Sequence, residues 1–262
     1  MEQTTKPLAD QDATRLRNRW PERLWIVRHG ESAGNVARDA AQAAGHAIID
    51  IAGRDVDVPL SVLGEEQSTV LGRWFATQPG RPEVVLTSPY LRARRTAELM
   101  HSAGGMEPAL ASFTVDERLR EKEFGVLDRL TRVGIEQRYP DQVEFRRILG
   151  KFYHRPPGGE SWCDVILRLR SALDTVLLLH GGRRVLIVGH QVVVLCMRYL
   201  LENMREDDIL TVDREGDVAN CSVTEYAFDA GAPVLQRYNF VAPLERAATP
   251  VTAEPDAQAG AR

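Results

Sequence analysis

The sequence is poor in cysteine and carries no excess of positive charge. Its 262 residues include three cysteines, Cys163, Cys196 and Cys221, which are widely spaced and form no Cys-x-x-Cys pair. That pattern predicts neither a disulfide framework nor a zinc knuckle, and a reducing, cytoplasmic location is the simplest expectation. The 33 Lys and Arg residues against 37 Asp and Glu give a net charge of −4. This balance gives no electrostatic reason to expect nucleic acid or an anionic membrane as a partner.

Long hydrophobic runs are also missing. The first twenty residues contain no apolar segment of the kind that directs export, and the apolar run after Gln191 is far shorter than the ~18 residues needed to cross a bilayer. Residues 1–22 are polar and aperiodic, and residues 243–262 are rich in Ala, Pro and Thr. Both segments are predicted to be flexible ends, which leaves one domain at residues 23–242.

Between these ends, short β-branched runs alternate with amphipathic stretches of helical length. With 44% hydrophobic and 27% charged residues, the composition is that of an ordinary globular domain. Alternating strands and helices indicate an α/β fold with a mainly parallel central sheet. The predicted strands lie at residues 24–27, 84–86, 185–188, 222–228 and 234–240.

Polar residues mark the predicted helix starts. Ser61 is predicted to cap one helix, Ser88 a second with proline at its first position, and Ser161 a third through a capping box. Residues 44–59 are rich in helix breakers and are interpreted as an inserted loop. Residues 128–157 combine charged amphipathic segments with three prolines, which predicts a partly helical excursion beside the sheet.

Two histidines directly follow predicted strands. The first strand ends in Arg28-His29-Gly30, and the third ends in Gly189-His190. Ligands bind at the carboxyl ends of strands in open α/β sheets, and glycine allows the backbone to approach a ligand closely. A single histidine at such a place is usually a structural residue. Two histidines at matching positions favour a shared site instead.

Three arginines follow the second predicted strand, where a helix is expected to begin. Positive side chains there cost a few tenths to ~1 kcal/mol each, because they face the positive end of the helix dipole. Arg92 lies one turn from the predicted cap, and we expect it to turn inward and meet an anion. Arg94 and Arg95 are expected to face solvent or to pair with acids.

Six motifs follow one another across roughly residues 24–226. They are Arg28-His29-Gly30-Glu31-Ser32 with Asn35, Leu60-Ser61-x-x-Gly64, Ser88-Pro89-x-x-Arg92-Ala93-x-x-Thr96, Leu119-Arg120-Glu121-x-x-x-Gly125, Gly159-Glu160-Ser161 and Val188-Gly189-His190. This ordered set resembles the histidine phosphatase superfamily, also called phosphoglycerate mutase-like, and within it the phosphatase branch. The resemblance implies a three-layer α/β sandwich and phosphoryl transfer through a phosphohistidine, without a metal ion or another cofactor.

The resemblance also implies a role for each residue of the first motifs. His29 would be the nucleophile, and Arg28, Arg92 and His190 would surround the phosphoryl oxygens. Asn35 would contribute a further hydrogen bond to phosphate. These roles are physically reasonable, because an imidazole attacks phosphorus through an unprotonated nitrogen and the transferring group needs fixed positive charge. Two guanidiniums supply forked donors that match phosphate oxygens.

Glu121 occupies the position of the family's proton donor. It must be a carboxylic acid when the ester bond breaks, and a raised pKa is the usual means. Glu123 is a competing candidate two residues away, but the spacing to Gly125 favours Glu121. Gln191 stands where most members have glycine after the second histidine. Its side chain is assigned to phosphate binding, with simple packing as the alternative.

The favoured hypothesis is a phosphomonoesterase that hydrolyses a phosphorylated small molecule through His29, with Glu121 as proton donor. A cofactor-dependent phosphoglycerate mutase is the first alternative. Against it, residues 122–128 lack the Arg-His-Tyr-Gly continuation of those mutases, and His190 is not followed by Gly-Asn-Ser. An inactive phosphate-binding protein of the same fold is the second alternative, although such proteins usually lose a pocket residue. No set of residues has convincing metal-ligand spacing.

Overall fold

The computed structural model describes residues 19–107, 113–229 and 231–253, and a mixed sheet lies at their centre. Its strands are β1 (Arg23–Arg28), β2 (Val84–Thr87), β3 (Thr114–Val115), β4 (Arg184–Gly189), β5 (Val223–Asp229) and β6 (Ala232–Phe240). The order across the sheet is β3-β2-β4-β1-β5-β6. The first four strands in that order run parallel, whereas β5 and β6 are antiparallel to their neighbours. The α/β prediction with a mainly parallel sheet is confirmed.

Helices pack on both faces of the sheet. They are α1 (Ala33–Ala43), α2 (Val62–Ala76), α3 (Leu91–Ser102), α4 (Arg132–Arg138), α5 (Pro140–Tyr153), α6 (Trp162–Leu179), α7 (Gln191–Leu201), α8 (Glu206–Glu215) and α9 (Ala242–Arg246). Short 3-10 turns occur at Asp55–Asp57, Glu117–Leu119 and Gly125–Leu127. The predicted excursion at residues 128–157 therefore consists mainly of α4 and α5.

The two faces of β1 build two separate apolar cores. Leu24 and Ile26 belong to the cluster formed with α6 and α7. Trp25 and Val27 belong to the cluster formed with α2 and α3. Successive side chains of a strand point to opposite faces, so a strand covered by helices on both sides must be apolar at every position. The layers are thus helix, sheet and helix, as the family resemblance implied.

Two of the three predicted helix starts are correct. The Ser61 hydroxyl accepts the backbone N–H three residues later and begins α2, and Ser161 begins α6 with a capping box. The prediction for Ser88 is wrong, because α3 begins at Leu91 and Tyr90 is its cap residue. The Ser88 hydroxyl instead lies 2.7 Å from a ring nitrogen of His190. The helix therefore begins two positions later than predicted. The two-residue strand β3 was not predicted.

Parts of both predicted flexible ends pack against the domain. Trp20 stacks on the ring of Phe228 at a centroid distance of 4.8 Å. Leu244 of α9 is fully buried, and the Gln67 side chain donates to the backbone oxygen of Pro250. A few apolar residues outside the predicted boundaries at 22 and 243 therefore pack against the domain, and the domain limits stay a prediction. The rest of these segments, residues 1–18 and 254–262, lies outside the described residues.

The predicted loop at 44–59 is a loop with one short turn, and it forms a wall above the end of β1. Ile49 is buried and its backbone N–H donates to the oxygen of Arg129 at 2.9 Å. The Arg129 guanidinium donates in turn to the backbone oxygens of Ile51 and Gly53. Val58 is buried at the other end of the loop. The loop is therefore anchored at both ends and braced near its middle.

Candidate active site

The site lies at the carboxyl ends of β1, β2 and β4. The backbone N–H of His29 donates to the oxygen of Gly189 at 2.9 Å, and that of Ser88 donates to Val188 at 3.0 Å. Hydrogen bonding between strands thus continues one residue past their ends. It brings the rings of His29 and His190 to a centroid distance of 5.1 Å. The expectation that the two histidines share one site is met by this geometry.

The hydrogen bonds of His29 fix where its proton lies. Nδ1 is 2.7 Å from the backbone oxygen of Gly30, which can only accept, and Nε of Arg92 is 3.3 Å from Nε2. A guanidinium can only donate, so Nε2 carries a lone pair and Nδ1 carries the proton. Burial, followed by the charges of Arg92 and Arg28, holds the pKa of His29 well below its usual value. His29 is therefore a neutral imidazole whose unprotonated nitrogen faces an arginine.

Arg92 turns inward from the first turn of α3, as expected, and is 5% exposed. Its guanidinium lies over the Tyr90 ring at 4.7 Å from the ring centre. Its terminal nitrogens bind the carboxylate of Asp55 at 3.0 and 3.1 Å. Arg94 is exposed and Arg95 pairs with glutamates on the surface, also as expected.

Arg28 reaches the pocket from the last position of β1 and is nearly buried. Its Nη1 donates to Oε1 of Gln191 at 3.1 Å and to the backbone oxygen of Val218. The amide nitrogen of Gln191 donates to Asp217 at 3.0 Å. Both polar ends of Gln191 are therefore bonded to protein groups. Gln191 therefore supports Arg28 and also lines the pocket, and its assignment to phosphate binding stays a prediction.

His190 is fully buried between Ser88 and Glu121. Ser88 Oγ accepts the backbone N–H of Tyr90 at 3.3 Å and lies 2.7 Å from His190 Nε2. A hydroxyl has one proton and two lone pairs, so Ser88 is able either to donate to Nε2 or to accept from it. Nδ1 lies 3.6 Å from Oε2 of Glu121. Burial and then the charge of Arg92 hold the pKa of His190 well below its usual value, so the ring is neutral.

Glu121 and Glu123 have different surroundings, which separates the two candidates for the acid. Glu121 lines the pocket, and its side chain is 16% exposed. Its Oε1 accepts the backbone N–H of Lys122 at 2.8 Å. The Glu123 side chain is 47% exposed and lies near the Tyr90 hydroxyl, 3.3 Å away. The geometry therefore places Glu121, and not Glu123, beside the histidines.

An ion-pair network holds the segment that carries Glu121. Glu160 accepts from Arg168 at 2.9 and 3.0 Å, from Arg120 at 2.7 Å and from the backbone N–H of Glu123 at 3.1 Å. Arg168 also donates to the backbone oxygen of Glu121 at 3.2 Å. Burial alone would raise the pKa of Glu160, but the hydrogen bond and charge of Arg168 hold it below its usual value. The Gly159-Glu160-Ser161 motif thus positions the candidate acid.

Gly125 completes the contact between these two motifs. Its φ of 56° lies in the left-handed region, and an added Cβ would collide with the backbone at Pro157 and Gly159. Glycine alone fits both conditions. The spacing from Glu121 to Gly125 therefore reflects how closely the segment approaches the start of α6.

Asn35 lies at the third position of α1 and lines the pocket. Its Oδ1 accepts from the backbone and the hydroxyl of Ser32 at 2.8 and 2.7 Å. This capping box uses the oxygen of the amide and leaves its NH₂ group as the donor end. The predicted phosphate contact of Asn35 is compatible with that orientation.

Three contacts of the site had no basis in the sequence predictions. Ser88 and Tyr90 belong to a motif that was recognised, but their contacts with His190 were not anticipated. Asp55 lies in the inserted loop, where no motif marked it. Within the described ranges, no group of three His, Cys, Asp or Glu residues is placed to hold a metal ion. No helix in the same ranges is long and apolar enough to span a bilayer.

Comparison with known proteins identifies the family. A family model of the histidine phosphatase superfamily, branch 1, matches residues 24–241. A protein of Yersinia enterocolitica named "Probable phosphoglycerate mutase GpmB" is 30% identical over 203 residues, which cover 77% of this chain and 82% of that protein. The structure of Bacillus stearothermophilus YhfR matches with a TM-score of 0.68 and 26% identity, covering 86% of this chain and 100% of its own.

A second solved structure shows the same fold at lower identity. It is the native mycobacterial glucosyl-3-phosphoglycerate phosphatase, with a TM-score of 0.64 and 24% identity, covering 84% of this chain and 99% of its own. The matched family model spans all six motifs that carry the sequence resemblance. The chain therefore belongs to branch 1 of the histidine phosphatase superfamily.

Proposed function

We propose that the protein is a phosphomonoesterase that hydrolyses a phosphorylated small molecule through a phosphohistidine on His29, without a metal ion. Membership of the superfamily supports an enzyme with phosphatase or mutase activity. The observation that carries the proposal is the hydrogen bond from Arg92 to Nε2 of His29. It leaves the lone pair of a neutral imidazole beside the guanidinium that would bind the phosphoryl oxygens.

In the first step, the Nε2 lone pair of His29 forms a bond to phosphorus while the ester P–O bond breaks. Arg28 and Arg92 balance the charge of the phosphoryl oxygens, which is the main need of such a reaction. The carboxyl group of Glu121 gives its proton to the departing oxygen and becomes a carboxylate. The products of this step are an alcohol and the phosphohistidine.

In the second step, water attacks the phosphohistidine. The Glu121 carboxylate takes a proton from the water as its oxygen bonds to phosphorus, and the P–N bond breaks. Inorganic phosphate and neutral His29 are formed, and Glu121 is again protonated. His190 and Asn35 supply further donors to the phosphoryl oxygens during both steps.

A phosphoglycerate mutase is the second candidate, because the relative from Yersinia enterocolitica carries that name. A mutase must keep its phosphoryl group from water and return it to a second oxygen. The residues after Glu121 and after His190 do not match the continuations typical of the mutases. We therefore expect hydrolysis to dominate.

The test follows both activities in parallel samples of one preparation. Purified protein, dialysed against a strong chelator, is incubated with p-nitrophenyl phosphate, and phosphate release is measured by a colorimetric assay. A parallel sample with 3-phosphoglycerate and bisphosphoglycerate is followed by phosphorus NMR. Metal-independent phosphate release supports the proposal. Interconversion of phosphoglycerates faster than phosphate release favours the mutase, and activity in neither sample favours the inactive phosphate-binding protein.

A further inference from the structure

The carboxylate of Asp55 forms an ion pair with Arg92, the arginine assigned to phosphoryl binding. Its two carboxylate oxygens accept from Nη1 and Nη2 of Arg92 at 3.0 and 3.1 Å, and its backbone oxygen accepts from Nη1 at 2.8 Å. Nε of the same guanidinium donates to His29 Nε2 at 3.3 Å. Four of the five N–H groups of Arg92 are engaged in this way.

The geometry of this contact is that of anion recognition. A planar guanidinium binds a carboxylate and a phosphate through the same pair of parallel N–H groups. The carboxylate of Asp55 therefore takes the Nη1–Nη2 edge of Arg92, one of the edges through which a guanidinium binds a phosphoryl group. The Arg92 side chain is only 7% exposed, so it has little room to bind a second anion elsewhere.

Asp55 is able to leave Arg92 without disturbing the core. It begins the 3-10 turn near the tip of the inserted loop, and its side chain is 36% exposed. The loop is anchored on either side by buried Ile49 and Val58, and Arg129 holds the backbone as far as Gly53. Only residues 54–57 and the Asp55 side chain need to move.

A phosphate monoester and Asp55 compete for Arg92, because two anions at hydrogen-bonding distance from one guanidinium repel each other. A ligand binds only to the fraction of molecules in which Asp55 has left. Its apparent affinity is lowered by that fraction.

We propose that Asp55 is a binding-determining residue of the phosphate site, an internal competitor that every phosphorylated ligand must displace from Arg92. The proposal rests on the proposed function in that it takes Arg92 as the phosphate-binding arginine. The competition would lower the affinity for inorganic phosphate, which makes contacts only at the phosphoryl site, so that free phosphate occupies the site less. An ester gains additional contacts from the pocket wall, where Ile49, Ile51 and Phe124 lie.

The test measures equilibrium binding of inorganic phosphate by isothermal titration calorimetry. Asp55→Asn keeps the size of the side chain, removes its charge and replaces one acceptor oxygen by a donor that faces Arg92. We expect it to tighten phosphate binding by up to about fivefold, the effect of losing a partly exposed ion pair between Asp55 and Arg92. The matched control is Asp57→Asn on the same turn, since Asp57 pairs with Arg54 at 2.8 Å and not with Arg92. This control is expected to leave binding unchanged.

Kinetics with p-nitrophenyl phosphate provide a second readout. If the Asp55 carboxylate competes with the substrate phosphate for Arg92, Asp55→Asn should lower KM and leave kcat unchanged. If Asp55 instead positioned Arg92 for catalysis, the variant would lower kcat and weaken phosphate binding, and the proposal would be overturned. Equal tightening by Asp57→Asn, or no phosphate binding by either wild type or Asp55→Asn, would also overturn it. Tighter phosphate binding by Asp55→Asn in a protein without turnover would support the competitor while refuting the proposed hydrolysis.

Discussion

Glu160→Gln tests how the ion-pair network supports the candidate acid. The carboxylate of Glu160 receives four hydrogen bonds, three of them from arginines, and both Glu160 and Arg168 have side chains about one-tenth exposed. Glutamine keeps one acceptor oxygen and turns an NH₂ group toward the guanidinium donors. Arg168 is left with a nearly buried charge and no anionic partner.

The expected loss of stability follows from these contacts. Breaking a buried ion pair costs roughly 3–5 kcal/mol, and a hydrogen bond to a charged group contributes about 1.5–3 kcal/mol. Because Arg168 keeps its bonds to the backbone oxygens of Arg118 and Glu121, we expect a loss below the full cost of a broken buried pair, about 2–3 kcal/mol. Urea unfolding followed by circular dichroism measures this difference. Glu123→Gln is the control, since its exposed side chain predicts a change within about 0.5 kcal/mol.

The difference between wild type and Glu160→Gln should depend on pH. The pKa of Glu160 is lower in the folded protein, so its contribution is fully present above the unfolded pKa of about 4.3 and is lost as the pH falls through the folded value. The two proteins should converge in stability in acid. A difference that stayed constant down to the acid transition, or one below 0.5 kcal/mol at neutral pH, would refute the role given to the Glu160 carboxylate.

Two further predictions concern the reaction itself. Glu121→Gln should lose ~10²–10⁴-fold in activity on an alkyl phosphate. Phosphorylation of the enzyme by p-nitrophenyl phosphate should slow much less, since nitrophenolate leaves unaided. Equal losses for both esters without a burst of nitrophenol, or a larger effect of Glu123→Gln, would show that Glu121 is not the general acid. The pKa of His29 is lowered by burial and by Arg92, so the ring stays unprotonated as the pH falls. The acid limb of kcat/KM should therefore lie well below the usual histidine pKa of about 6.5, and a limb at or above that value would contradict the neutral nucleophile.

The sequence predicted the sheet and the residues at its carboxyl edge because both depend on local patterns. The apolar runs of β1 and β4 are continuous, and the residues that follow them, His29 and His190, meet at the carboxyl edge of the sheet. Arg92 was placed correctly from the cost of a positive charge at a helix start. These inferences need only the position of a residue relative to one strand or one helix.

Other features depend on contacts between distant segments, which no local pattern reveals. Asp55 meets Arg92 across 37 positions, and Gln191 meets Arg28 across 163. The Ser88 hydroxyl was assigned to a helix cap, whereas the fold brings it to His190 across 102 positions. Leu244 lies in a segment poor in large residues and is nevertheless buried. Each of these outcomes is decided by packing in three dimensions.

The central claim is that phosphate is carried by Nε2 of His29. Wild-type protein is mixed with a labelled aryl phosphate, quenched under alkaline conditions that preserve phosphohistidine, and digested for peptide mapping. The proposed mechanism predicts label on the peptide containing His29, and neither label nor turnover in His29→Ala, because the unprotonated nitrogen that faces Arg92 belongs to His29. Label on His190, or near-normal turnover by His29→Ala, would contradict it.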